Sequence, residues 1–429
     1  MNYPSTWESV TIGESLDLIN GRAFKPNEWS TAGRPIIRIQ NLNNPKAAFN
    51  YYAGDLPEKF SVATGDLLFA WSGTPGTSFG AHIWKGPDAW LNQHIFKVVF
   101  PSNVFDKTFL QFAINQNLAQ YIGVAHGGAG LAHITKGKFE ASDILLPPLA
   151  EQKRIVAKIE ELFSELDAGE ESLRVARRQL GVYRQSLLKQ AFEGKLTAQW
   201  RTQNPAKPES WVSTTVGKVG RIETGTTPPT DDQSNYGGDL PFFKPTDLEQ
   251  GRYVKTARSH LSAAGQRSAR VLPLGSVLVT CIGATIGKTG LAQLACATNQ
   301  QINSISPTED VAPEFAYFQV ISPQFQEQIK TNASSTTLPI LNKSKFSALS
   351  FVRCSLPEQQ EIVRLLDAQF EVIERNEREL DAALKRSEAL RQAILKKAFT
   401  GRLVSQDPTD EPASELLARL RADRPGPKR

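Results

Sequence analysis

The sequence predicts an α+β protein in which two β-rich globular domains are each followed by a long α-helix. Two observations carry this prediction. A ten-residue phrase occurs twice, 207 positions apart, near the end of two segments with an apolar heptad pattern. About 150 residues of short β-type runs precede each segment, separated by turns rich in glycine, proline and asparagine.

The composition is that of an ordinary folded protein. The chain has 429 residues, of which 40% are hydrophobic and 22% charged, and this length is sufficient for two or three domains. No stretch reaches the ~18 uninterrupted apolar residues of a membrane helix, and the first residues do not have the pattern of a signal peptide. Three cysteines without metal-ligand spacing favour a reducing cytoplasm. The net charge of +5 hints only weakly at a polyanionic partner.

The repeated phrase is LLKQAFEGKL at 187–196 and ILKKAFTGRL at 394–403. The same shift of 207 brings the Glu-Gln pair at 151–152 onto the pair at 358–359. The register holds without a gap from 151 to 203 and from 358 to 410. Because loops drift in length more readily than a rigid element does, this pattern indicates a duplicated rigid element.

The duplicated segment is predicted to be a helix with one apolar seam of heptad positions a and d. Position a holds Ile159, Leu166, Leu173, Leu180 and Leu187, then Leu366, Ile373, Leu380, Ser387 and Ile394. Position d holds Leu162, Gly169, Ala176, Tyr183 and Gln190, then Gln369, Asn376, Ala383, Leu390 and Lys397. Gly194 and Gly401 are predicted C-terminal caps. Two matching seams favour pairing of the helices; the alternative is that each packs on the core of its own domain.

The domains repeat more loosely than the helices. WESVTIGE at 7–14 resembles WVSTTVGK at 211–218, but the offset varies from 204 to 210. A shared scaffold with different loops is expected when loops carry the specificity of each copy. The predicted order is a first globular domain at 1–150, a first helix at 151–205, a second domain at 206–357, a second helix at 358–410 and a polar tail at 411–429.

No motif in the sequence predicts catalysis. GATIGKT at 283–289 resembles a phosphate-binding loop, but position 282 is isoleucine where that loop requires glycine. GGAG at 127–130 is too short for a dinucleotide fingerprint, and the five histidines lack zinc-ligand spacing. We therefore expect a chain that recognises and assembles, with no catalytic residue, metal or cofactor of its own.

Two stretches resemble the specificity subunit of type I restriction–modification enzymes. One is ILLPPLAEQKRIVAKIEELFSELDAGEESL, which LLKQAFEGKL follows; the other is ETGTTPPTDDQSNYGGDLPFFKPTDL, similar to the start of the family's target-recognition domains. The second copy of the helix motif, CSLPEQQEIV, departs from the family pattern because Pro357 directly precedes its Glu-Gln pair. The resemblance covers nearly the whole chain.

The resemblance implies a non-catalytic DNA-recognition subunit of a cytoplasmic phage-defence complex. Each target-recognition domain would read half of a bipartite, asymmetric site in double-stranded DNA. The two helices would pack as an antiparallel coiled coil with internal pseudo-two-fold symmetry, and would dock two copies of a modification methyltransferase subunit. S-adenosylmethionine, ATP and Mg²⁺ would belong to the modification and restriction subunits. Two alternatives from other classes are a coiled-coil scaffold that binds a non-DNA partner and an enzyme with an unrecognised site.

Candidate DNA-binding residues are polar or basic side chains near predicted turns, since arginine, lysine, asparagine and glutamine hold phosphates or read base edges. Residues 1–150 carry 11 basic and 11 acidic residues and residues 206–357 carry 14 and 11, so any phosphate-binding surface must be local. The candidates are Arg22, Lys25, Arg38, Gln40, Asn41, Asn43, Lys136, Lys138, Lys244, Thr246, Lys288, Asn299, Gln300, Lys343 and Lys345. Ordinary solvated surface is the alternative for each, and the Asn-Gln pairs at 92–93 and 299–300 could equally be internal anchors.

Overall fold

The computed structural model describes residues 3–44, 46–74, 77–118, 121–122, 132–205, 211–334 and 338–422. The chain divides into two compact units, one formed by Met1–Ser172 with Ala383–Arg429 and the other by Leu173–Ala382. Each unit contains one β-rich domain and parts of both long helices. The predicted fold class is therefore confirmed.

The first domain is built on two four-stranded sheets. Its strands are β1 (Glu8–Thr11), β2 (Asp17–Asn20), β3 (Arg34–Ile37), β4 (Asn50–Tyr52), β5 (Ser61–Val62), β6 (Leu67–Ala70), β7 (Ser72–Gly73), β8 (Gly80–Ile83), β9 (Ala89–Leu91), β10 (Ile95–Val99), β11 (Ala132–His133) and β12 (Asp143–Leu146). The sheet orders are β2-β10-β6-β8 and β4-β3-β9-β5, with two-stranded ribbons β1-β12 and β7-β11.

The second domain repeats the core of this topology, with one strand more in one sheet and one strand fewer in the other. Its strands are β13 (Val212–Thr215), β14 (Gly220–Thr224), β15 (Tyr236–Phe243), β16 (Tyr253–Val254), β17 (Ser259–Leu261), β18 (Val277–Thr280), β19 (Thr289–Ala292), β20 (Ala297–Thr298), β21 (Ile302–Pro307) and β22 (Ser350–Arg353). The sheet order β14-β21-β18-β19-β16 contains the counterpart of β2-β10-β6-β8, and β17-β15-β20 contains a parallel pair, as β4-β3-β9-β5 does.

Two helices are far longer than the rest. The helices are α1 (Ile12–Ser15), α2 (Ile39–Asn43), α3 (Lys107–Gln116), α4 (Lys136–Glu140), α5 (Leu149–Phe192), α6 (Ala198–Gln203), α7 (Val216–Val219), α8 (Ala263–Ser268), α9 (Pro313–Val320), α10 (Pro323–Asn332), α11 (Lys343–Ala348), α12 (Leu356–Ala398) and α13 (Ala413–Ala422). Short 3-10 turns lie at Pro26–Glu28, Glu58–Phe60, Gln233–Asn235 and Asp247–Gln250. In the described part of the chain, no helix is long and apolar enough to cross a bilayer.

The long helices end near the predicted glycine caps, α5 at Phe192 and α12 at Ala398, and therefore stop short of the predicted limits at 205 and 410. Gly194 has φ of +70° and Gly401 has φ of +67°, a left-handed conformation that glycine adopts without a steric penalty. A Cβ atom at Gly194 would lie 3.3 Å from the ring of Trp211, and one at Gly401 would overlap Pro4. Each glycine therefore lets the chain turn close to the start of a domain.

Charge distribution favours antiparallel pairing of the two long helices. Residues 160–171 of α5 include six acidic and no basic residues, and residues 174–189 include five basic and no acidic ones. Residues 367–381 and 384–397 of α12 follow the same acidic-to-basic order. In the first unit Arg391 contacts Asp167 and Glu170, and in the second unit Arg184 contacts Glu377.

The seam follows position a and departs from the prediction at position d. All ten position-a side chains are buried or half-buried. Tyr183 and Leu390, both at position d, are 46% and 52% exposed. Position d is therefore only partly in the seam, since Leu162, Ala176, Gln369 and Ala383 are half-buried and the other six are exposed. Arg184, Glu377, Glu170 and Arg391, at the next heptad position, add charged groups to the interhelical contact.

The two proposed packing arrangements of the helices both occur. Ile155 and Ile159 near the start of α5 belong to the core of the first domain, which also contains Phe109. At the other end of α5, Leu188 and Phe192 belong to the core of the second domain. The middle of each helix pairs with the other helix. Each long helix thus contributes to a domain core at both ends.

The repeated Glu-Gln pair anchors the start of each long helix. Gln152 is buried; its Oε1 accepts from the backbone N–H of Asp106, and its Nε2 donates to two carbonyl oxygens at 3.0 and 2.9 Å. Gln359 repeats all three contacts, accepting from the N–H of Ala312 and donating to two carbonyls. Trp7 donates to Glu151, as Trp211 does to Glu358. The motif is explained by packing within each unit.

The C-terminal segment is more than the polar tail expected for 411–429. Within it, α13 buries Ala413, Leu416, Leu417 and Leu420 in the core of the first unit. The reason is the i, i+1, i+4 spacing of its leucines, which gives this charged helix one apolar face.

Candidate nucleic-acid interface

The strongest candidate site lies where two parallel strands end at the same sheet edge. In the first domain Ile37 of β3 lies opposite Leu91 of β9. In the second domain Phe243 of β15 lies opposite Thr298 of β20. The residues that follow these strands are therefore neighbours at the edge, namely Arg38 with the pair 92–93 and Lys244 with the pair 299–300.

A buried side chain three residues further along fixes the backbone of each basic residue. The N–H of Arg38 donates to Oδ1 of Asn41 at 3.0 Å, and the N–H of Lys244 donates to Oδ2 of Asp247 at 2.7 Å. Asn41 and Asp247 are both buried. Asn41, a DNA-binding candidate from the sequence, also donates to the carbonyl of Ala47, so its amide is used inside the domain.

The basic side chains at this edge lie over aromatic rings. The Arg38 guanidinium lies 5.2 Å from the ring centroid of Trp29, and Nζ of Lys244 lies 5.7 Å from that of Phe242. Such contacts orient a cation without neutralising it. Among the described residues neither side chain has a carboxylate partner within ion-pair distance. Both charges therefore remain available to an anion.

In each Asn-Gln pair the asparagine side chain is hydrogen-bonded within the domain and the glutamine side chain is exposed. Asn299 is buried, and its side chain accepts from the N–H of Gln301 and donates to Oε1 of the same residue at 2.8 Å. Asn92 accepts from the N–H of His94. The asparagines are thus internal anchors, the alternative that the sequence left open. Gln93 and Gln300 are exposed at the edge, although Gln300 also accepts from Thr227.

The two edges differ in the residues beside these shared ones. In the first domain the Trp71 ring contacts the rings of His94 and His133, with centroids 5.3 and 4.7 Å apart. Burial lowers the pKa of His94, and the charges of His133 and Arg38 lower it further. The N–H of Trp71 donates to the carbonyl of His94, and the N–H of Cys281 donates to that of Gln301. Cys281 and Gln301 of the second domain therefore occupy the positions that Trp71 and His94 occupy in the first domain.

Of the other candidate residues near the two edges, some make contacts within the domain and others are exposed. Arg22 forms an ion pair with Glu28 and lies over the rings of Phe24 and Tyr52, at 4.9 and 5.0 Å. Gln40 donates to the carbonyl of Ala48. The remaining exposed candidates at the two edges are Lys25, Asn43 and Thr246.

Four candidate lysines lie on the short helices α4 and α11 and do not directly follow the parallel strands. Nζ of Lys136 donates to the carbonyl of Leu18 and lies 3.5 Å from Glu140. Nζ of Lys345 donates to the carbonyl of Asn332 at 3.1 Å. Lys138 and Lys343 are exposed on the same two helices. The contacts of Lys136 and Lys345 make these two lysines weaker candidates than Arg38 and Lys244.

The GATIGKT segment has no phosphate-loop geometry. It connects β18 to β19 and is followed by a strand, whereas a P-loop leads into a helix whose N-terminus faces the phosphate. Nζ of Lys288 pairs with Glu249 at 3.0 Å. Lys288 is thereby engaged within the domain.

Within the described residues, no group of three or more histidine, cysteine or acidic side chains could hold a metal ion. The three cysteines are free and buried, and burial raises the pKa of each thiol to about 12. The predicted GGAG turn at 127–130 lies outside the described residues, as does His126.

Sequence reasoning missed Asp247 and Trp29 and did not pair Arg38 with Lys244. The signal was present, since IIRIQNL at 36–42 and FFKPTDL at 242–248 align at an offset of 206. Both stretches place a basic residue after two apolar ones and an Asn or Asp three positions later. The stretches share few identities, so the equivalence is evident only from the strand register.

Each unit contains a β-rich domain with a basic residue directly after a pair of parallel strands, which is the kind of surface expected of a protein that recognises nucleic acid. The family profile described as the type I restriction modification DNA specificity domain matches residues 4–173 and 208–386. The chain therefore belongs to the family of type I restriction–modification DNA specificity proteins.

Individual relatives agree with this assignment. The chain is 26% identical over 455 residues to the EcoBI type I restriction enzyme specificity subunit of Escherichia coli, covering 99% of this chain and 94% of that protein. One solved structure similar to this chain comes from work on complex assembly and conformational transition of the type I R-M system. It superposes with a TM-score of 0.74 at 22% sequence identity, and the match covers 94% of this chain and 100% of that one. The crystal structure of the HsdS subunit from Thermoanaerobacter tengcongensis superposes with a TM-score of 0.56 at 22% sequence identity. That match covers 94% of this chain and 98% of the HsdS chain. The structural likenesses support the fold.

Proposed function

We propose that this chain is the non-catalytic DNA-recognition subunit of a type I restriction–modification complex and reads a bipartite, asymmetric site with one domain per half. The observation that carries the proposal is the repeated strand edge, where Arg38 and Lys244 occupy equivalent positions with equivalent backbone anchors. A cation held over an aromatic ring and left without a carboxylate partner suits a phosphate of the DNA backbone.

The shared and unshared residues of the two edges have different roles in this proposal. Features common to both domains cannot distinguish two different half-sites, so the basic residues and the glutamines position the duplex. Base reading falls to residues that differ, such as His94 and its counterpart Gln301. Phosphate contacts fix register, and contacts to base edges provide sequence discrimination.

The same proposal assigns assembly to the long helices. Two copies of a modification methyltransferase subunit dock on them, and restriction subunits join that core in the cytoplasm. S-adenosylmethionine, ATP and Mg²⁺ belong to those partners and not to this chain. The support is the internal repeat, since α5 and α12 share their length, their charge order and their anchoring contacts.

Selection from a random duplex pool tests the proposal, with and without the cognate modification subunit. The recovered DNA should contain two constant blocks separated by a spacer without sequence preference. Lys244→Gln should weaken binding to all selected sequences and reduce the slope of log affinity against log salt by about 1. Lys345→Gln is the matched control, because Nζ of Lys345 is bonded within the domain. Failure of any sequence to be enriched in either arm would contradict the proposal and favour a scaffold for another partner.

A further inference from the structure

We infer that the second domain reads thymine C5-methyl groups in the major groove of its half-site, through the side chains of Leu338 and Ile340. This inference rests on the proposed function and assigns one class of base contact to that domain. Both side chains are large and apolar, and they are 51% and 37% exposed. They lie in the segment between α10 and α11.

The segment that carries Leu338 and Ile340 lies directly beside a residue already assigned to base reading. The N–H of Leu341 donates to the carbonyl of Cys281 at 2.8 Å. The N–H of Cys281 in turn donates to the carbonyl of Gln301 at 2.7 Å. Three backbone segments are therefore adjacent, and the last of them continues from the exposed glutamine of the strand edge. The two apolar side chains thus border the edge that the proposed function places against DNA.

Hydrogen bonds hold the backbone of this segment in a defined position. Ser334 and Ile340 exchange both of their backbone hydrogen bonds, at 2.9 and 3.1 Å. The N–H of Gly283 donates to the carbonyl of Pro339 at 3.0 Å. Ile282 lies directly opposite Ile340, so these two side chains are on the same face. The apolar groups are therefore presented to solvent from a fixed backbone, which a contact to a particular base requires.

The first domain has the same backbone arrangement with a different side chain. The N–H of Ile134 donates to the carbonyl of Trp71 at 3.0 Å, which repeats the contact made by Leu341. His133 therefore occupies in the first domain the position of Ile340 in the second. An imidazole can form a hydrogen bond with a polar base edge, whereas a branched alkyl group can make only apolar contacts. We therefore expect methyl recognition in the second half-site and not in the first.

Thymine is the base that suits an exposed alkyl side chain. Its C5-methyl is the only alkyl group that unmodified base pairs present in the major groove. The hydrogen-bonding groups of the other bases would lose water without gaining a partner if an alkyl side chain covered them. Lys244 is exposed at the same edge and can hold a phosphate, which brings the apolar side chains against the bases.

Uracil substitution tests the inference with the full-length chain in complex with its cognate modification subunit. The duplex recovered from the random pool is synthesised with deoxyuridine for thymidine in one constant block at a time. This replacement removes the methyl groups and keeps every hydrogen-bonding group. Fluorescence anisotropy at one salt concentration gives the affinity, since salt alone changes it strongly. Uracil in one block should weaken binding about fourfold for each contacted methyl, and uracil in the other block by less than about twofold.

Substitutions identify the domain that is responsible. Leu338→Ala and Ile340→Ala should each weaken binding to the thymine duplex and reduce the uracil effect in the sensitive block, because the methyl contact is already diminished. Leu338→Met keeps an apolar side chain and should keep the effect. Leu274→Ala is the matched control and should change neither quantity. Leu274 is 64% exposed on the same domain but precedes β18, whereas Cys281 follows that strand.

The outcomes separate this inference from the proposed function. Constant blocks without any A·T pair, or equal binding of thymine and uracil duplexes by the parent, would overturn methyl reading and leave the proposed function standing. A uracil effect that survives both Leu338→Ala and Ile340→Ala would overturn the assignment to this segment. An equal loss of affinity for both duplexes in Leu338→Ala would also overturn it and would indicate a side chain wedged between base pairs. Recovery of no constant block would contradict the proposed function itself.

Discussion

Arg184 of α5 and Glu377 of α12 form an interhelical ion pair with Nη2 and Oε2 3.1 Å apart. The same interaction recurs with the helices exchanged, because Arg391 lies 3.3 Å from Glu170, and a shift of 207 relates both partners. Each arginine also lies over a phenylalanine, Phe370 for Arg184 and Phe163 for Arg391. Each unit thus contains the same interhelical contact, formed by a charged pair as well as by apolar residues.

Reversing one charge of this pair should destabilise the second unit. Arg184→Glu places like charges in a half-buried contact, and we expect a loss of on the order of 1–2 kcal/mol in the free energy of unfolding. Arg184→Glu combined with Glu377→Arg should recover part of that loss, but not the contribution of the cation over Phe370. Urea unfolding of the single and double variants measures the coupling. Arg386→Glu, at an exposed site on α12, is the control, and an equal loss there would contradict the assignment.

Burial along the seam predicts unequal costs for two position-a residues. Ile373 is 1% exposed in the core of the second unit, whereas Leu173 is only half-buried. Ile373→Ala should therefore cost ~2–4 kcal/mol, within the range for buried aliphatic truncations. Leu173→Ala should cost about half as much, because less of its surface is removed from water. Chemical denaturation of both variants provides the comparison, and a larger loss for Leu173→Ala would show that the seam is misplaced.

Sequence periodicity predicted the long helices because apolar residues recur there at fixed spacing over about eight turns. It misassigned the exposed position-d residues to the seam because Arg184 and Glu170, which take part in the contact, are charged and do not contribute to an apolar pattern. It missed α13 because two arginines and a glutamate give that segment a polar composition. The strand edge was only partly predicted: Arg38 and Lys244 were among the candidates, but their equivalence depends on which strands run parallel. That is a property of long-range pairing and is not encoded in local sequence.

Glu151 should make the first unit more stable as the solution is acidified. Burial raises the pKa of this carboxyl, although the hydrogen bonds from Trp7 and Gln406 act in the opposite direction. The folded chain therefore takes up a proton at a higher pH than the unfolded chain does. Stability should rise as the pH falls from 7 through the folded pKa, and the gain should be complete near the ordinary pKa of glutamate.

The measurement is urea unfolding of the parent and of Glu151→Gln at several pH values between 7 and 5. The difference in unfolding free energy, parent minus variant, should increase steadily toward pH 5. The glutamine variant is its own control for all other titrating groups, which it retains. A difference that stays constant or decreases over this range would show that the carboxyl is not penalised by burial.

The C-terminal helix should be required for the stability of the first domain and not of the second. Leu416 is fully buried in the core that contains Trp7, Val10 and Phe109. Leu416→Ser removes apolar contacts and buries a hydroxyl, so we expect a loss of ~2–4 kcal/mol confined to the first unit. Glu415→Ser, one residue earlier and exposed, should have little effect. Native-state hydrogen exchange separates the units, since faster exchange should appear in β1 and β12 but not in their counterparts β13 and β22. Unchanged hydrogen-exchange rates in β1 and β12 would mean that α13 does not contribute to the stability of the first domain.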